Sequence, residues 1–153
     1  MSIKINFSNK VSEKYLGNAV LFADEKFNIN GLKKLISSTE FSYINDLLKT
    51  SDLKKNIFVF EVNSKKKIVL ISIKKDLKSF DIENLGAEFY RRINHGKSSE
   101  YFINSDSANS KYENFIDLFL HGLKLKSYEF NKYKTKKETR LISVNVSGNK
   151  NKP

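Results

Sequence analysis

The chain has 153 residues, enough for one domain with a substantial buried core, and its apolar share of 39% and aromatic share of 12% point to a folded protein. It contains no cysteine, which excludes disulfides, thiolate zinc sites and cysteine nucleophiles, and its formal charge of +11 admits a polyanionic partner. No apolar run reaches membrane-span length, and Met1 to Phe7 alternate rather than forming a signal core, so a soluble, cytoplasmic protein is expected.

Ile3, Ile5 and Phe7 alternate with Lys4 and Asn6, which predicts a half-buried first strand. Ala19-Val20-Leu21-Phe22-Ala23 is a short apolar run between polar segments, the pattern of a strand buried on both faces. Asp24 to Asn30 is polar and turn-like. Asn30 is placed to cap a short helix through Ile36, weakened by Gly31, with a second helical piece over Phe41 to Leu48. Ile57 to Val62 and Ile68 to Ile73 are rich in β-branched and aromatic residues. The short polar link between them predicts an antiparallel hairpin with Lys65, Lys66 and Lys67 at a solvated tip.

Ile82, Leu85, Phe89 and Ile93 recur on one face of a helix predicted over Asp81 to Ile93. Acids in its first turn and Arg91 and Arg92 in its last complement the helix dipole. Gly86 lies beside the buried face, where it suits a close approach to the sheet, and His95-Gly96 forms the exit. Tyr101 to Ile103 is a short strand, followed by a polar loop over Asn104 to Asn109. Ser110 and Glu113 form a capping box before a helix whose stripe is Tyr112, Phe115, Ile116, Phe119, Leu120 and Leu123. That helix is expected to end between Gly122 and Lys126. Tyr128 and Phe130 then alternate with polar residues, as in an extended segment packing its aromatic side down. A final strand is predicted over Thr139 to Val146, and residues 147–153 have linker composition. Helices between strands, with one hairpin, imply an α/β domain with a mixed sheet between helical layers.

Few residues suit chemistry. His95 and His121 are far apart with no metal-ligand spacing, and are best read as structural or solvated. No nucleophile elbow is present, and the glycines never cluster into a phosphate-cradling loop. The pair Asp24-Glu25 would need further partners to hold a metal. No catalytic, cofactor or metal residue is therefore assigned. Lys132, Lys134, Lys136, Lys137 and Arg140 form a basic patch with aromatics interleaved, which can bind nucleic acid. Arginine, the better phosphate and base reader, occurs only at Arg91, Arg92 and Arg140, so a solvated lysine surface is the favoured reading.

The stretch from His121 to Lys134 resembles the end of the N-terminal domain of leucyl (cytosol) aminopeptidases, close to E-G-x-x-L-x-x-Y-x-F-x-x-Y-K. Gly122, Leu125, Tyr128, Phe130, Tyr133 and Lys134 match, whereas His121 stands where Glu is usual and Lys124 where an apolar residue is common. The order of elements over nearly the whole chain agrees. The resemblance implies a three-layer α/β/α sandwich, macro-domain-like, over residues 1–146, with 147–153 opening an interdomain linker. It implies a non-catalytic domain that supports a homo-hexamer. Metal-dependent removal of N-terminal residues from peptides would belong to a C-terminal catalytic domain holding two divalent metals, zinc or manganese. The metal-binding N-T-D-A-E-G-R segment of that domain does not occur here. A nucleotide-binding module of the macro type rests on fold analogy alone, and the scattered glycines argue against it.

Overall fold

The computed structural model describes residues 2–8, 18–94, 99–108, 114–132 and 141–148. One sheet is formed by β1 (Ser2–Ser8), β2 (Asn18–Asp24), β3 (Ile57–Asn63), β4 (Lys66–Ile73), β5 (Ser99–Asn104) and β6 (Leu141–Ser147). The described helices are α1 (Ser38–Lys49), α2 (Ser79–Ile93) and α3 (Phe115–Lys132). The strand order is β1-β6-β5-β2-β4-β3, and every adjacent pair is parallel except the β3–β4 hairpin. This is the expected α/β fold with a mixed sheet.

Side-chain alternation along β2 explains why helices cover both faces. Val20 and Phe22 pack with residues of α2 and α3, while Ala19, Leu21 and Ala23 pack with Ile44 and Leu48 of α1. On the first face, Phe22 meets Phe115 and Phe119 edge-on at ring separations of 5.4 and 5.5 Å, and Phe89 meets Tyr101 at 5.7 Å. Edge-to-face aromatic pairs add about 0.5–1.5 kcal/mol each beyond the area they bury. This aromatic cluster ties β2, β5, α2 and α3 into one layer contact.

The segment after β2 differs from expectation. Only a short 3-10 turn forms at Asn30–Leu32, and the Asn30 side chain caps no α-helix. The cap is at Ser37, whose hydroxyl accepts the Glu40 N–H at 3.1 Å while the Glu40 carboxylate accepts the Ser37 N–H at 2.9 Å. Ser37-x-x-Glu40 is a complete capping box, and it starts α1 at Ser38.

The glycines of the second layer act between helices. A Cβ on Gly86 would overlap the Phe119 carbonyl oxygen, and one on Gly122 would overlap the Glu83 carbonyl. Gly86 therefore lets α2 approach α3, not the sheet. Gly122 does not end its helix; it is the point where α3 crosses α2 backbone to backbone.

The expected extended exit after Gly122 is also corrected, because α3 runs on through Lys132. Leu123 and Ser127 are buried and continue the helical stripe. The Ser127 hydroxyl donates to the Lys124 carbonyl at 2.7 Å, and Lys126 pairs with Glu129 at 3.0 Å. Extending a formed helix costs far less than starting one, and residues 124–132 contain no glycine or proline to stop it. Tyr128 consequently points outward, 70% exposed, rather than packing down. The Ser110–Glu113 capping box, His95-Gly96 and the start of the last strand at Thr139 lie outside the described residues.

Candidate functional site

The strands β2 and β5 are neighbours, but the chain leaves them on opposite faces. After β2, Phe27, Ile29, Leu32 and Ile36 enter the α1-side core, whereas β5 leads to α3 in the other core. In open α/β sheets such a switch point creates a crevice outside the strand C-termini. The register shows it opening. β2 pairs with β4 from Ala19 to Asp24, but with β5 only through Val20. Above that point the Ser107 hydroxyl replaces the lost strand, accepting the Phe22 N–H at 3.1 Å and donating to the Asn104 carbonyl at 2.7 Å.

The crevice is a cleft of about 790 Å³ bounded by the loop after β2, the turn after β4, and Asp106 and Ser107. A second cleft of about 540 Å³ adjoins it along α2, and the two share Glu25, Lys74, Lys75 and Leu77. Together they make one groove along the C-terminal edge of the sheet. Phe22, Leu32 and Ile73 are among the residues lining one half and Leu85 the other, and all four are buried.

The walls are held by local hydrogen bonds. The Asp24 carboxylate accepts the backbone N–H of Lys26 at 3.0 Å and of Asn28 at 2.9 Å. Phe27 sits within this turn at φ 56, a left-handed conformation that costs a non-glycine residue on the order of 1 kcal/mol. Its buried ring, packed edge-on against Phe58 at 5.0 Å, keeps it there. On the far wall, the Asp81 carboxylate accepts the Lys78 N–H at 2.9 Å and opens α2. Burial is also polar at this edge, where Ser72, Asn104, Ser105 and Ser147 lie at or next to the strand ends. The Ser105 hydroxyl donates to the Ser147 carbonyl at 2.8 Å, and the Ser72 hydroxyl to the Asp24 carbonyl at 3.1 Å.

Of the residues singled out in the sequence, Asp24 and Glu25 belong to this groove, with Asp24 spent on the turn. His121 is not merely solvated: its Nδ1 lies 2.5 Å from a Glu83 carboxylate oxygen, across the α2–α3 crossing. Among the described residues, no group of three or more His, Cys, Asp or Glu side chains is placed to hold a metal ion. The basic patch lies outside the described residues at Lys134, Lys136, Lys137 and Arg140, and the side chain of Lys132 is not described. Sequence reading missed Asp76 and Asp106 as groove residues. The available signal was position: each follows the C-terminal end of a parallel strand by two or three residues. No helix among the described residues is long and apolar enough to cross a membrane.

No family model matches the chain, and no curated protein sequence matches it. Among solved structures, it superposes on a tomato leucine aminopeptidase mutant with a TM-score of 0.64 at 15% identity, over 96% of this chain. The chain spans about a third, 32%, of that protein's length. At this identity the likeness is one of fold, so the chain shares its α/β architecture with part of a leucine aminopeptidase.

Proposed function

We propose that the chain is the non-catalytic N-terminal domain of a cytoplasmic leucyl aminopeptidase. In this reading it supports assembly of a homo-hexamer, while a C-terminal catalytic domain carrying two divalent metals removes N-terminal residues from peptides. The observation that carries it is the match of nearly the whole chain to about a third of a leucine aminopeptidase. The sequence resemblance over Gly122, Leu125 and Tyr128 supports the same reading.

The test is an assay of the purified chain on leucine p-nitroanilide with Mn²⁺ or Zn²⁺. No turnover is expected, because two-metal hydrolysis needs clustered ligands to hold both ions and activate a water. Metal-dependent turnover by the chain alone would overturn the reading. Sedimentation of a leucyl aminopeptidase carrying this domain, with and without it, checks the assembly role. Loss of the hexamer on removal is expected.

A further inference from the structure

Asn30-Gly31 is the one Asn-Gly step in the sequence. Both residues are exposed, in the 3-10 turn at Asn30–Leu32, while Ile29 and Leu32 beside them are buried in the α1-side core. The other described glycines have a steric or conformational reason to be glycine. Gly86 and Gly122 make room for the helix crossing, and Gly148 holds φ 120. Gly31 has neither reason: its φ is not left-handed, and a Cβ there would meet no heavy atom within 4 Å. Among the described residues, neither the Gly31 N–H nor the Asn30 side-chain amide has a hydrogen-bond partner.

We propose that Asn30 is a site of spontaneous covalent modification, deamidation through a succinimide with water as the co-reactant. The Gly31 nitrogen loses its proton to solvent base and attacks Asn30 Cγ. The new N–Cγ bond closes the ring, the Cγ–Nδ2 bond breaks, and the side-chain nitrogen leaves as ammonia after taking up a proton. Water then adds to either imide carbonyl and opens the ring to aspartate or to isoaspartate. A 3-10 backbone holds the Gly31 nitrogen away from Cγ, so the turn must open before the ring closes. The turn is weakly held. It rests on the Leu32 N–H to Ile29 carbonyl bond at 2.9 Å and the long Lys33 N–H to Asn30 carbonyl bond at 3.5 Å, and 3-10 hydrogen-bond geometry is poor. Asparagines before other small residues are fixed instead. Asn63 Oδ1, before Ser64, accepts the Lys65 N–H at 2.8 Å, and Asn104 Oδ1, before Ser105, accepts the N–H groups of Asp106 and Ser107 at 2.9 and 3.2 Å. Either product places a carboxylate at residue 30, on the wall of the larger cleft. Isoaspartate also lengthens the backbone between the buried anchors Ile29 and Leu32. This inference does not depend on the aminopeptidase reading.

The test is peptide mapping by mass spectrometry after the whole folded chain is incubated at mildly alkaline pH. The tryptic fragment 27–33 carries Asn30 together with Asn28 as an internal control. The mass gain of an amide-to-acid change is expected at Asn30 before Asn28, Asn63 or Asn104, with aspartate and isoaspartate forms separated by chromatography. Conversion in the folded chain should be no more than about tenfold slower than in urea, because one local turn is all that must open. Gly31→Ala, which has room for its Cβ, should slow conversion by roughly tenfold or more, since the side chain restricts the backbone that must rotate. Asn30→Gln should abolish the gain at residue 30 over the same period. Thermal unfolding of each variant establishes that it is folded. The proposal is overturned by absence of conversion at Asn30 in the folded chain, by equal rates at Asn63 or Asn104, or by an unchanged rate in Gly31→Ala.

Discussion

Glu40 Oε2 lies 2.8 Å from Lys66 Nζ, and each side chain is only 12% exposed. The pair joins the first turn of α1 to the first residue of β4. Burial by itself pushes the Glu40 carboxyl up, but the Lys66 ammonium and the Ser37 N–H together outweigh it, and the net shift is below the ordinary value of 4.5. A carboxylate depressed in the folded state adds stability above its unfolded pKa and loses it as the pH falls through the folded value. Glu40→Gln should therefore cost about 1–3 kcal/mol at neutral pH, because it breaks the ion pair and leaves Lys66 less compensated. The variant should also lose less stability than the parent protein on going from pH 7 to below 4.5. Urea unfolding at the two pH values checks both outcomes.

The α2–α3 crossing separates a contact that matters from one that does not. Gly122→Ala should cost about 3 kcal/mol or more, since the added Cβ would overlap the Glu83 backbone, which cannot yield as a side chain can. His121→Ala, one residue earlier, removes an exposed contact with Glu83 and should cost less than about 1 kcal/mol. Thermal denaturation of the pair of variants decides it. Equal losses would mean that the helices do not cross at Gly122.

Ser107 stands in for a missing strand. Ser107→Ala removes the acceptor of the Phe22 N–H, and an orphaned buried amide costs about 1–3 kcal/mol. The effect should be local as well as global. Hydrogen exchange at the Phe22 amide should accelerate more than at Val20, whose neighbourhood is paired on both sides. Uniform acceleration across β2 would count against this role for Ser107.

Asn18 ties the opposite edge of the sheet. Its amide donates to the Glu100 carbonyl at 3.1 Å and accepts the Lys67 N–H at 2.8 Å, clamping β4 and β5 to the start of β2. Asn18→Ala should cost about 1–2 kcal/mol, and Asn18→Asp should retain the Lys67 bond but lose the Glu100 one. Denaturant titration should rank the three proteins, with Asn18→Asp intermediate.

Local patterns in the sequence determined β2, the β3–β4 hairpin and α2, because a doubly buried strand, a β-branched repeat and a 3.6-residue stripe are each written within one short segment. The true start of α1 was also written there, in Ser37 and Glu40, a capping signal as complete as the one noted at Ser110. Three features became visible only in the tertiary structure. Gly122 reads locally as a helix end, and only the backbone of Glu83 beside it shows why a glycine is needed. Tyr128 and Phe130 alternate like a strand, but the helix growing from Phe115 carries the chain through them to Lys132. Asp24, Asp76 and Asp106 are separated by dozens of residues, and parallel packing of β2, β4 and β5 gathers their strand ends along one edge. Sequence spacing records what a residue does within its own element. Which strand ends become neighbours depends on the order of strands in the sheet.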